Sequence, residues 1–461
     1  MWSMANSKRC KAKLYGKYMI LTELNSAKIT NTKKMNILMM TNTFTPHVGG
    51  VARSVQAFTN GYRKRGHRVL VVAPEYENMP EKEMDVIRIP AIQHFNQSDF
   101  SVVLPIPGFL TSAVEKFRPD IVHAHHPFLI GGTALRVAHT LMLPLFFTHH
   151  TMYEQYTHYV PADSEPLKRF VMDLSTRYAN LCDRVFAPSE SVASILNSRG
   201  VETPIDIVPT GVDCEKFGRG SGPGFRMAVD IPEDAFVVGH VGRLAPEKNL
   251  QFLAEGVADF LKTESRGHFL VVGQGPSEKI IRNLFSDKGI AHRLHFTGSL
   301  DHPLLTSAYR AMDVFAFASK SETQGMVLTE AMAAGLPVVA LDAPGAREVV
   351  TDQYNGRLLY SGSVDQFASA LRWTASLSPE QMYRLRQGAK KTAQVFSMDR
   401  SVEKALGCYQ TMLKKMPAHR HDEFNKWTTA MRLVKTDWDI IKELTGAAGA
   451  AFGAEDAKKE E

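Results

Sequence analysis

Cysteines are scarce in this sequence, and long apolar runs are missing from it. The chain has four cysteines in 461 residues, and none of them forms a C-x-x-C pair or a zinc spacing. This pattern argues against a disulfide framework and favours reduced thiols in a cytosolic protein. No run of about eighteen apolar residues occurs, so we expect no transmembrane helix. The composition, 44% hydrophobic and 22% charged, is typical of a globular protein that is too long for one core.

The net charge of +6 is concentrated at the start of the chain. Residues 1–34 hold eight Lys or Arg and one Glu, which leaves the remainder close to neutral. We therefore expect no nucleic-acid partner. The basic leader lacks a long apolar core and an A-x-A site, so it is a poor secretory signal. It is a disordered tail, a stretch upstream of a true start at Met35, or a patch for anionic lipid, and its lack of helical pattern favours the first two.

Predicted strands and helices alternate in two series. The first series predicts a helix over 54–66 and strands at 36–44, 67–74, 120–126, 143–150, 184–189 and 204–211. The second series predicts a helix over 249–262 and strands at 236–244, 268–275, 294–300, 313–319 and 336–341. Apolar strands separated by helices are typical of parallel sheets covered on both faces. We therefore predict an α/β protein with two Rossmann-like domains that face each other across a cleft.

These series divide the chain into four predicted segments. They are the basic leader, two Rossmann-like domains of similar size, and C-terminal helices followed by a disordered tail. Their bounds are 1–34, 35–212, 213–395 and 396–461. The Gly-rich stretch 218–224 indicates the linker between the two domains. The cleft, at the carboxyl ends of the strands, is the expected ligand site.

An apolar stripe near the C-terminus recurs at spacings of three and four, which predicts an amphipathic helix. Its members are Phe424, Trp427, Met431, Val434, Trp438 and Ile441. The helix either packs on the body of the protein or lies on a membrane surface, where tryptophan is favoured. The polar face is acidic or mixed, and this favours packing on the body.

Glycines and cations follow several of the predicted strands. Gly49 and Gly50 stand between the first strand and its helix, where backbone N–H groups can approach an anion. In GRLAPEKN, Arg243 stands at a strand end and Lys248 near a helix start, an arrangement that suits a diphosphate. Gly273 opens a weaker Gly-x-Gly pattern of the same kind. Plain tight turns and solvated charges are the alternatives.

The stretch SETQGMVLTEAMAAGLPVVA (321–340) places two glutamates at a predicted junction of loop and helix. Glu322 precedes the helix and Glu330 lies about two turns into it. Acidic residues near a helix start favour its dipole, which is one explanation. The other is a ligand site, because Gly242, Gly273 and this loop all follow strands of one sheet and should gather at one edge. Carboxylates for sugar hydroxyls, with cations for phosphates between them, suit a nucleotide-sugar.

This stretch resembles the E-x(7)-E signature of the retaining glycosyltransferases of family four. GRLAPEKN, VVGQGP and PTGVD are similar to its usual companions, and NTFTPHVGGVARSV resembles the family's N-terminal glycine loop. The similarity covers most of residues 35–395, with the motifs in order. The resemblance implies the GT-B fold, a nucleotide-diphosphate sugar donor, transfer with retention, no cofactor and no obligatory metal. We find no D-x-D motif in a suitable strand-end loop, and DWD at 437–439 falls on the predicted C-terminal helix.

The resemblance also implies roles for individual residues of the second domain. Glu330 would bind the ribose, and Glu322 would hold the donor sugar together with the backbone of 324–327. Arg243 and Lys248 would neutralise the diphosphate leaving group, which gains charge in the transition state. The implied donor-binding set is Gly49, Gly50, Gly242, Gly273, Gln324, Gly325, Met326, Val327 and Glu330.

A histidine of the first domain completes the implied catalytic set. In VHAHHP, His125 matches the family histidine near the sugar, and the implied role is a hydrogen bond in the transition state. The neighbouring His123 and His126 are rivals for this role. A structural histidine on a buried strand is the alternative.

The stretch FFTHHTMYEQYTHYVP (146–161) is unusually rich in His and Tyr. An aromatic helix packed at the domain edge is one explanation. HHTMYEQYTHYVP closely resembles a segment of bacterial glucosyltransferases that use diacylglycerol, while enzymes that mannosylate phosphatidylinositol resemble the rest of the chain about as well. The resemblance implies a lipid acceptor bound by the first domain, and a cytoplasmic protein that is peripheral on the inner face of the membrane. The implied acceptor residues are His150, Tyr153 and Tyr156.

Several functions follow from these features, and we favour hexose transfer from a UDP-sugar to diacylglycerol or a related lipid. A mannosyltransferase that uses GDP-mannose and a transferase with a soluble acceptor are the alternatives. A non-catalytic sugar-nucleotide-binding protein is least favoured, because the whole charged set is present. A dehydrogenase has little support, since no full G-x-G-x-x-G follows the first strand. The oligomeric state is not indicated.

Overall fold

The computed structural model describes residues 33–47, 49–92, 102–103, 110–155, 164–360 and 362–415. Met1–Met35 form one unit, whose described residues 33–35 have no regular secondary structure, and Asn36–Glu461 form a second, compact unit. The predicted leader before residue 33, the predicted apolar stripe at 424–441 and Tyr156 lie outside the described residues.

The first series of predicted strands forms one parallel sheet. The strands are β1 (Asn36–Met40), β2 (Arg68–Pro74), β3 (Val86–Ile89), β4 (Ala91–Ile92), β5 (Val102–Val103), β6 (Ile121–Ala124), β7 (Leu145–Thr148), β8 (Arg184–Ala187) and β9 (Ile205–Ile207). Within the described residues, seven of them form a parallel sheet in the order β3-β2-β1-β6-β7-β8-β9. β4 and β5 form a separate antiparallel pair.

Helices connect these strands and cover the sheet. They are α1 (Gly50–Lys64), α2 (Thr111–Phe117), α3 (Ile130–Leu141), α4 (Glu165–Asn180) and α5 (Glu190–Ser198). α1 buries Val55, Phe58 and Tyr62 on one face and leaves polar residues on the other, as an amphipathic helix on a sheet does. A 3₁₀ turn over Tyr153–Gln155 follows β7.

The second series forms another parallel sheet. Its elements begin with α6 (Cys214–Gly218), α7 (Gly222–Ala228), β10 (Phe236–Val241), α8 (Leu250–Thr263), β11 (Gly267–Val272), α9 (Glu278–Asp287), β12 (Leu294–Phe296) and α10 (Leu304–Ala311). They continue with β13 (Val314–Phe317), α11 (Met326–Ala333), β14 (Val338–Leu341), β15 (Gly356–Leu359), α12 (Val364–Ala375) and α13 (Pro379–Val395). In the part of the chain that the structure describes, six strands pair in the order β12-β11-β10-β13-β14-β15.

The structure refines the predicted bounds. Most of the predicted strands lose residues at their carboxyl ends, where the chain leaves the ladder, whereas β2 and β14 end where they were predicted to end. The Gly-rich stretch 218–224, predicted as a linker, lies largely in the short helices α6 and α7, which Asp213 and Ser221 cap through their side chains. The strands β3, β4, β5 and β15 were not predicted; β3 and β15 are edge strands with mixed burial.

The final described helix, α14 (Met398–Lys415), packs on α1 beside the first sheet. A Cβ atom on Gly61 of α1 would lie 2.4 Å from Val402 Cγ2, so only glycine allows this approach. Tyr409 of α14 is fully buried and stacks on Phe186, with ring centroids 5.9 Å apart. The last described helix therefore packs against the half of the chain that contains the first sheet (the first half), and not against the half that contains the second sheet (the second half).

Apolar strands account for the cores. Both sheets are buried on both faces: the second sheet has an apolar cluster on each face, and the first has one large cluster on one face and buries Phe146 and Phe186 against Tyr409 of α14 on the other. Among the described residues, none of the helices combines the length and the hydropathy that crossing a bilayer requires. The carboxyl ends of β1, β6 and β7 lie on one side of the cleft, and those of β10, β11 and β13 on the other.

Candidate functional site

The loop between β13 and α11 carries the paired glutamates, and glycines shape it. Gly325, immediately before α11, adopts a left-handed conformation with φ of 68°. Gly345 has φ of +84°, and a Cβ atom there would lie 2.8 Å from Glu322 Cβ. Both positions therefore favour glycine. The first N–H groups of α11, from Met326 and Val327, have no partner within the helix and point toward this loop.

Glu330 lies within α11 and is buried at the junction of the two halves. Its Oε2 accepts a hydrogen bond of 2.8 Å from the Tyr309 hydroxyl. Its Oε1 lies 3.9 Å from Arg53 Nη1, and Arg53 belongs to α1 of the first half. Burial raises the pKa of the Glu330 carboxyl, and the Tyr309 hydrogen bond and the Arg53 charge oppose that rise. Sequence reasoning missed Tyr309 and Arg53, which lie 21 and 277 residues away.

The two predicted cations lie in the loop after β10. Lys248 Nζ forms an ion pair of 2.7 Å with Glu322 Oε1, and both side chains are mostly buried. Arg243 Nη2 lies 2.8 Å from Glu247 Oε1 and is about half exposed. Each cation is thus positioned by a carboxylate at the edge of the second sheet, where an incoming diphosphate would compete for it.

The glycines that end β10 and β11 bring their loops into contact. Gly242 and Gly273 have φ of 158° and 137°. A Cβ atom on Gly273 would lie 1.9 Å from the Gly242 carbonyl oxygen, so a side chain there is sterically excluded. The prediction that these strand-end glycines gather at one edge agrees with this geometry.

His123 lies in β6, His125 and His126 follow it, and the partners of the three rings differ. His123 Nδ1 hydrogen bonds to the Tyr409 hydroxyl and its Nε2 to Thr148 Oγ1 at 2.7 Å. His126 Nδ1 accepts the Asn42 backbone N–H at 3.0 Å.

His125 has one ring nitrogen that the protein does not use. Its Nδ1 hydrogen bonds to His150 Nε2 at 2.9 Å, and its Nε2 is buried with no partner among the described residues. Burial lowers the pKa of His125 well below its ordinary value, and the adjacent His123 and His126 add to this effect. His125 is therefore a neutral imidazole with one nitrogen available to a ligand.

Side chains of the 321–325 loop reach across to the first half. Thr323 Oγ1 donates to the His150 carbonyl at 2.9 Å, and Ser189 Oγ donates to the Thr323 carbonyl at 2.7 Å. The Gln324 amide binds both backbone groups of Thr210, since Oε1 accepts the N–H at 2.7 Å and Nε2 donates to the carbonyl. The resemblance implied a role for the backbone of Gln324, and the hydrogen bonds of its side chain to Thr210 were not predicted.

The remaining predicted residues lie on the first half of the chain. Gly49 is the N-cap of α1 and Gly50 its first residue, so the start of α1 follows the carboxyl end of β1. Tyr153 lies in the 3₁₀ turn after β7, where its ring packs at 4.9 Å from that of Phe128. The Tyr153 hydroxyl is buried and has no partner among the described residues.

Comparisons with known proteins agree with this fold. Residues 48–216 match the family described as Glycosyltransferase Family 4, and residues 225–392 match the one described as Glycosyl transferases group 1. An alpha-monoglucosyldiacylglycerol synthase from Streptococcus pneumoniae is 29% identical over 71% of this chain and 75% of its own. A GDP-mannose-dependent alpha-mannosyltransferase from Corynebacterium glutamicum is 28% identical over 71% of this chain and 77% of its own.

A third relative and a solved structure complete the comparison. The D-inositol 3-phosphate glycosyltransferase of Kribbella flavida is 31% identical over 65% of this chain and 73% of its own. The sucrose-phosphate synthase of Thermosynechococcus elongatus superposes with a TM-score of 0.68 at 19% identity, over 83% of this chain and 100% of that one. The chain belongs to the glycosyltransferases of family four and has their GT-B fold, as its motifs predict.

Proposed function

We propose that this glycosyltransferase moves a hexose, with retention, from a UDP-sugar to a membrane lipid such as diacylglycerol. One observation carries the proposal: a continuous line of contacts joins the two sides of the cleft. Lys248 pairs with Glu322, Thr323 donates to the His150 carbonyl, and the His150 ring meets His125. A donor held by the second domain would therefore present its sugar to His125 of the first.

The donor would be held by a carboxylate and by backbone N–H groups whose positions the fold already fixes. The Glu330 carboxylate, with Oε2 anchored by Tyr309, would accept the ribose hydroxyls. The first N–H groups of α11, together with Gly242 and Gly273, would approach the phosphates. On the other side of the cleft, Gly49 and Gly50 at the start of α1 would close over the same group.

Transfer would break the bond between the sugar C1 and the β-phosphate oxygen, while the acceptor hydroxyl oxygen forms its new bond to C1 and its proton passes to the departing diphosphate. Negative charge then grows on the diphosphate, and Arg243 and Lys248 would stabilise it. These fixed cations would do the work of a metal ion, so we propose that the reaction needs none. Glu322 would hold the sugar, and His125 would donate one hydrogen bond through its free Nε2.

A lipid acceptor is favoured by the relatives and by the His- and Tyr-rich segment after β7. Two of the relatives are alpha-monoglucosyldiacylglycerol synthases. The His150 ring hydrogen bonds to His125, and Tyr153 lies in the 3₁₀ turn after β7, where both would meet the acceptor. Tyr156 is proposed for the same role from the sequence alone. The enzyme would act as a peripheral protein on the inner face of the membrane. We further propose the predicted bounds 35–212 and 213–395 for the acceptor and donor domains.

Other donors and acceptors have their own support among the relatives. GDP-mannose-dependent alpha-mannosyltransferases support GDP-mannose as the donor, and the D-inositol 3-phosphate glycosyltransferases support a soluble acceptor. Phosphatidylinositol as the mannose acceptor is proposed from the sequence alone. Both keep the same donor site and change only the base, the sugar or the acceptor.

A product assay separates these possibilities. Purified protein would be incubated with radiolabelled UDP-glucose, UDP-galactose, UDP-glucuronate or GDP-mannose, each with micelles of diacylglycerol or of phosphatidylinositol. We expect label in the organic phase with UDP-glucose and diacylglycerol, and undiminished by a chelator. Label with GDP-mannose and phosphatidylinositol alone would support the second function. Label that stays in the aqueous phase with every pair would contradict a lipid acceptor.

A further inference from the structure

We propose that His150 is a positioning residue that sets the tautomer of His125. In this arrangement the His150 Nε2–H donates to His125 Nδ1, and His125 therefore carries its proton on Nε2, the nitrogen that has no partner among the described residues. The inference rests on the proposed function, because it gives His125 the hydrogen bond that the transferring sugar would receive.

The geometry of the two rings supports a specific hydrogen bond. His125 Nδ1 and His150 Nε2 lie 2.9 Å apart, and the ring planes differ by 26° with centroids 5.2 Å apart. On its other face, His125 stacks on His123 at 4.3 Å, and that ring is fixed by Tyr409 and Thr148. The His125 ring is thus held at its Nδ1 edge by His150 and on one face by His123, and its orientation is set.

The chemistry of a neutral imidazole then leaves two arrangements. One nitrogen carries a proton and the other accepts, so a donor at Nδ1 leaves Nε2 as an acceptor, and the reverse. Burial lowers the pKa of both His125 and His150 well below the ordinary value, so neither ring carries two protons near neutral pH. Only the arrangement in which His150 donates gives His125 an Nε2–H in the cleft.

His150 also contacts the donor loop. Its backbone carbonyl accepts from Thr323 Oγ1, one residue after Glu322. The same residue therefore meets the proposed sugar-binding loop through its backbone and the proposed catalytic imidazole through its ring. A shift of the loop would be transmitted to the ring that His125 depends on.

A second histidine pair in this chain is a matched control. His268 Nδ1 and His295 Nε2 also lie 2.9 Å apart, at the pairing of β11 and β12. The His295 Nδ1 donates to the Val229 carbonyl. Removing His295 deletes an imidazole pair of the same length outside the cleft.

The test reads the tautomer directly in the full-length protein. Histidine labelled with ¹⁵N in the ring would be incorporated, and the His125 signals would be assigned by their loss in His125→Gln. We expect a protonated Nε2 and a bare Nδ1 in the wild type. In His150→Leu we expect a mixture of tautomers, a kcat about tenfold lower and an unchanged donor KM. His150→Gln, whose amide can donate, should restore most of kcat, and His295→Leu should change neither quantity.

Two results would overturn the inference. A protonated Nδ1 in the wild-type protein would show that His125 donates to His150. An unchanged His125 spectrum in His150→Leu would show that His150 does not set the tautomer, even if kcat fell. If no donor and acceptor pair gave product, the proposed function would fail, and the nitrogen spectra would still decide the tautomer.

Discussion

Two glutamates that stand close together in the sequence have different surroundings in the structure. Glu322 pairs with Lys248 at 2.7 Å at the edge of the cleft. Glu330 is buried, bound by the Tyr309 hydroxyl and faced by Arg53. A charge-neutralised Glu322 and an anchored Glu330 suit different parts of one donor, the sugar and the ribose. Individual substitutions should therefore separate binding from chemistry.

Glu330→Gln should weaken binding of UDP about tenfold to a hundredfold. The amide keeps one acceptor oxygen where the carboxylate has two, and hydrogen bonds to a charged group are worth about 1.5–3 kcal/mol. Isothermal titration calorimetry with UDP measures the change. Glu255→Gln, on α8, removes the same charge from a carboxylate that binds Gln251 and is the control. Equal affinities for the Glu330 variant and the wild type would contradict the ribose role.

Lys248→Met should lower kcat about a hundredfold or more and change the donor KM much less. The cation is proposed to stabilise charge that develops mainly in the transition state, and a preorganised group of that kind is worth about 10²–10³ in kcat. Steady-state kinetics measure both constants. Lys262→Met breaks a similar Lys–Asp pair, of 3.1 Å, on the surface of α8. A loss confined to KM, or an equal loss in the control, would argue against the leaving-group role.

The sequence predicted where the charged residues of the second sheet lie, and it predicted few of their partners. Glu322, Glu330, Arg243 and Lys248 follow strands, so their position at one sheet edge was predictable from chain order. Tyr309 and Arg53 reach Glu330 from distant segments, and no local pattern predicts such a contact. The tautomer and partner of His125 likewise depend on packing, because His123, His125 and His126 look equivalent in the sequence.

At the scale of helices and strands, the packing of α14 on α1 helps to fix the position of the histidines in the site. Gly61 lets the two helices approach, and Tyr409 extends from α14 to hydrogen bond with His123 and Tyr62. His123 in turn stacks on His125. α14 therefore supports the first domain from behind the proposed catalytic histidine.

Gly61→Ala should destabilise the protein by about 1–3 kcal/mol, despite the better helix propensity of alanine. The new methyl would overlap Val402 Cγ2, and a β-branched side chain cannot rotate away freely. Urea unfolding measures the free-energy change. The double variant Gly61→Ala with Val402→Ala should recover part of the loss.

A glycine on the partner helix is the control for this prediction. A Cβ atom on Gly407 of α14 would have no neighbour within 4 Å, so Gly407→Ala should be stabilising by about 0.5–1 kcal/mol. If Gly61→Ala were equally stabilising, the close approach of α1 and α14 would be refuted.

Element prediction from sequence succeeded where burial was uniform. β1, β10 and β14 are short apolar runs between polar or glycine-containing turns, and the sequence predicts each of them. β3 and β15 escaped because edge strands are only partly buried and carry a mixed pattern. The packing partner of α14 also could not be predicted. An amphipathic pattern indicates that one face of a helix is buried, but it does not indicate which element covers that face.

At the scale of the whole molecule, buried neutral histidines dominate the expected response to acid. Ten histidines among the described residues have a pKa below the ordinary value because of burial: His67, His123, His125, His126, His149, His150, His240, His268, His295 and His302. The pKa falls to about 3 for His123 and His126, and to about 4 for His149, His240 and His268.

The free energy of unfolding should therefore fall as pH drops below about 6.5. There the unfolded chain binds protons that the folded protein excludes, so stability is fully present above that pH and is lost toward pH 4. Each such histidine contributes up to about 1.4 kcal/mol per pH unit within this window. Glu330, whose pKa is raised, acts in the opposite direction, but it is one group against ten.

Urea unfolding at pH 7.5 and at pH 5.5 checks this expectation. The variant His240→Gln removes one buried imidazole, and its stability should depend less steeply on pH than that of the wild type. Equal stability of the wild type at both pH values would contradict the proposed neutral state of these histidines.

The central claim is hexose transfer to a lipid with retention, and one reaction tests it directly. UDP-glucose labelled with ¹³C at C1 would be incubated with the protein and diacylglycerol micelles, and the lipid extract would be examined by NMR. The account predicts a labelled glycolipid whose anomeric carbon keeps the α configuration of the donor. A β-linked glycolipid, or label recovered only as free glucose, would contradict it.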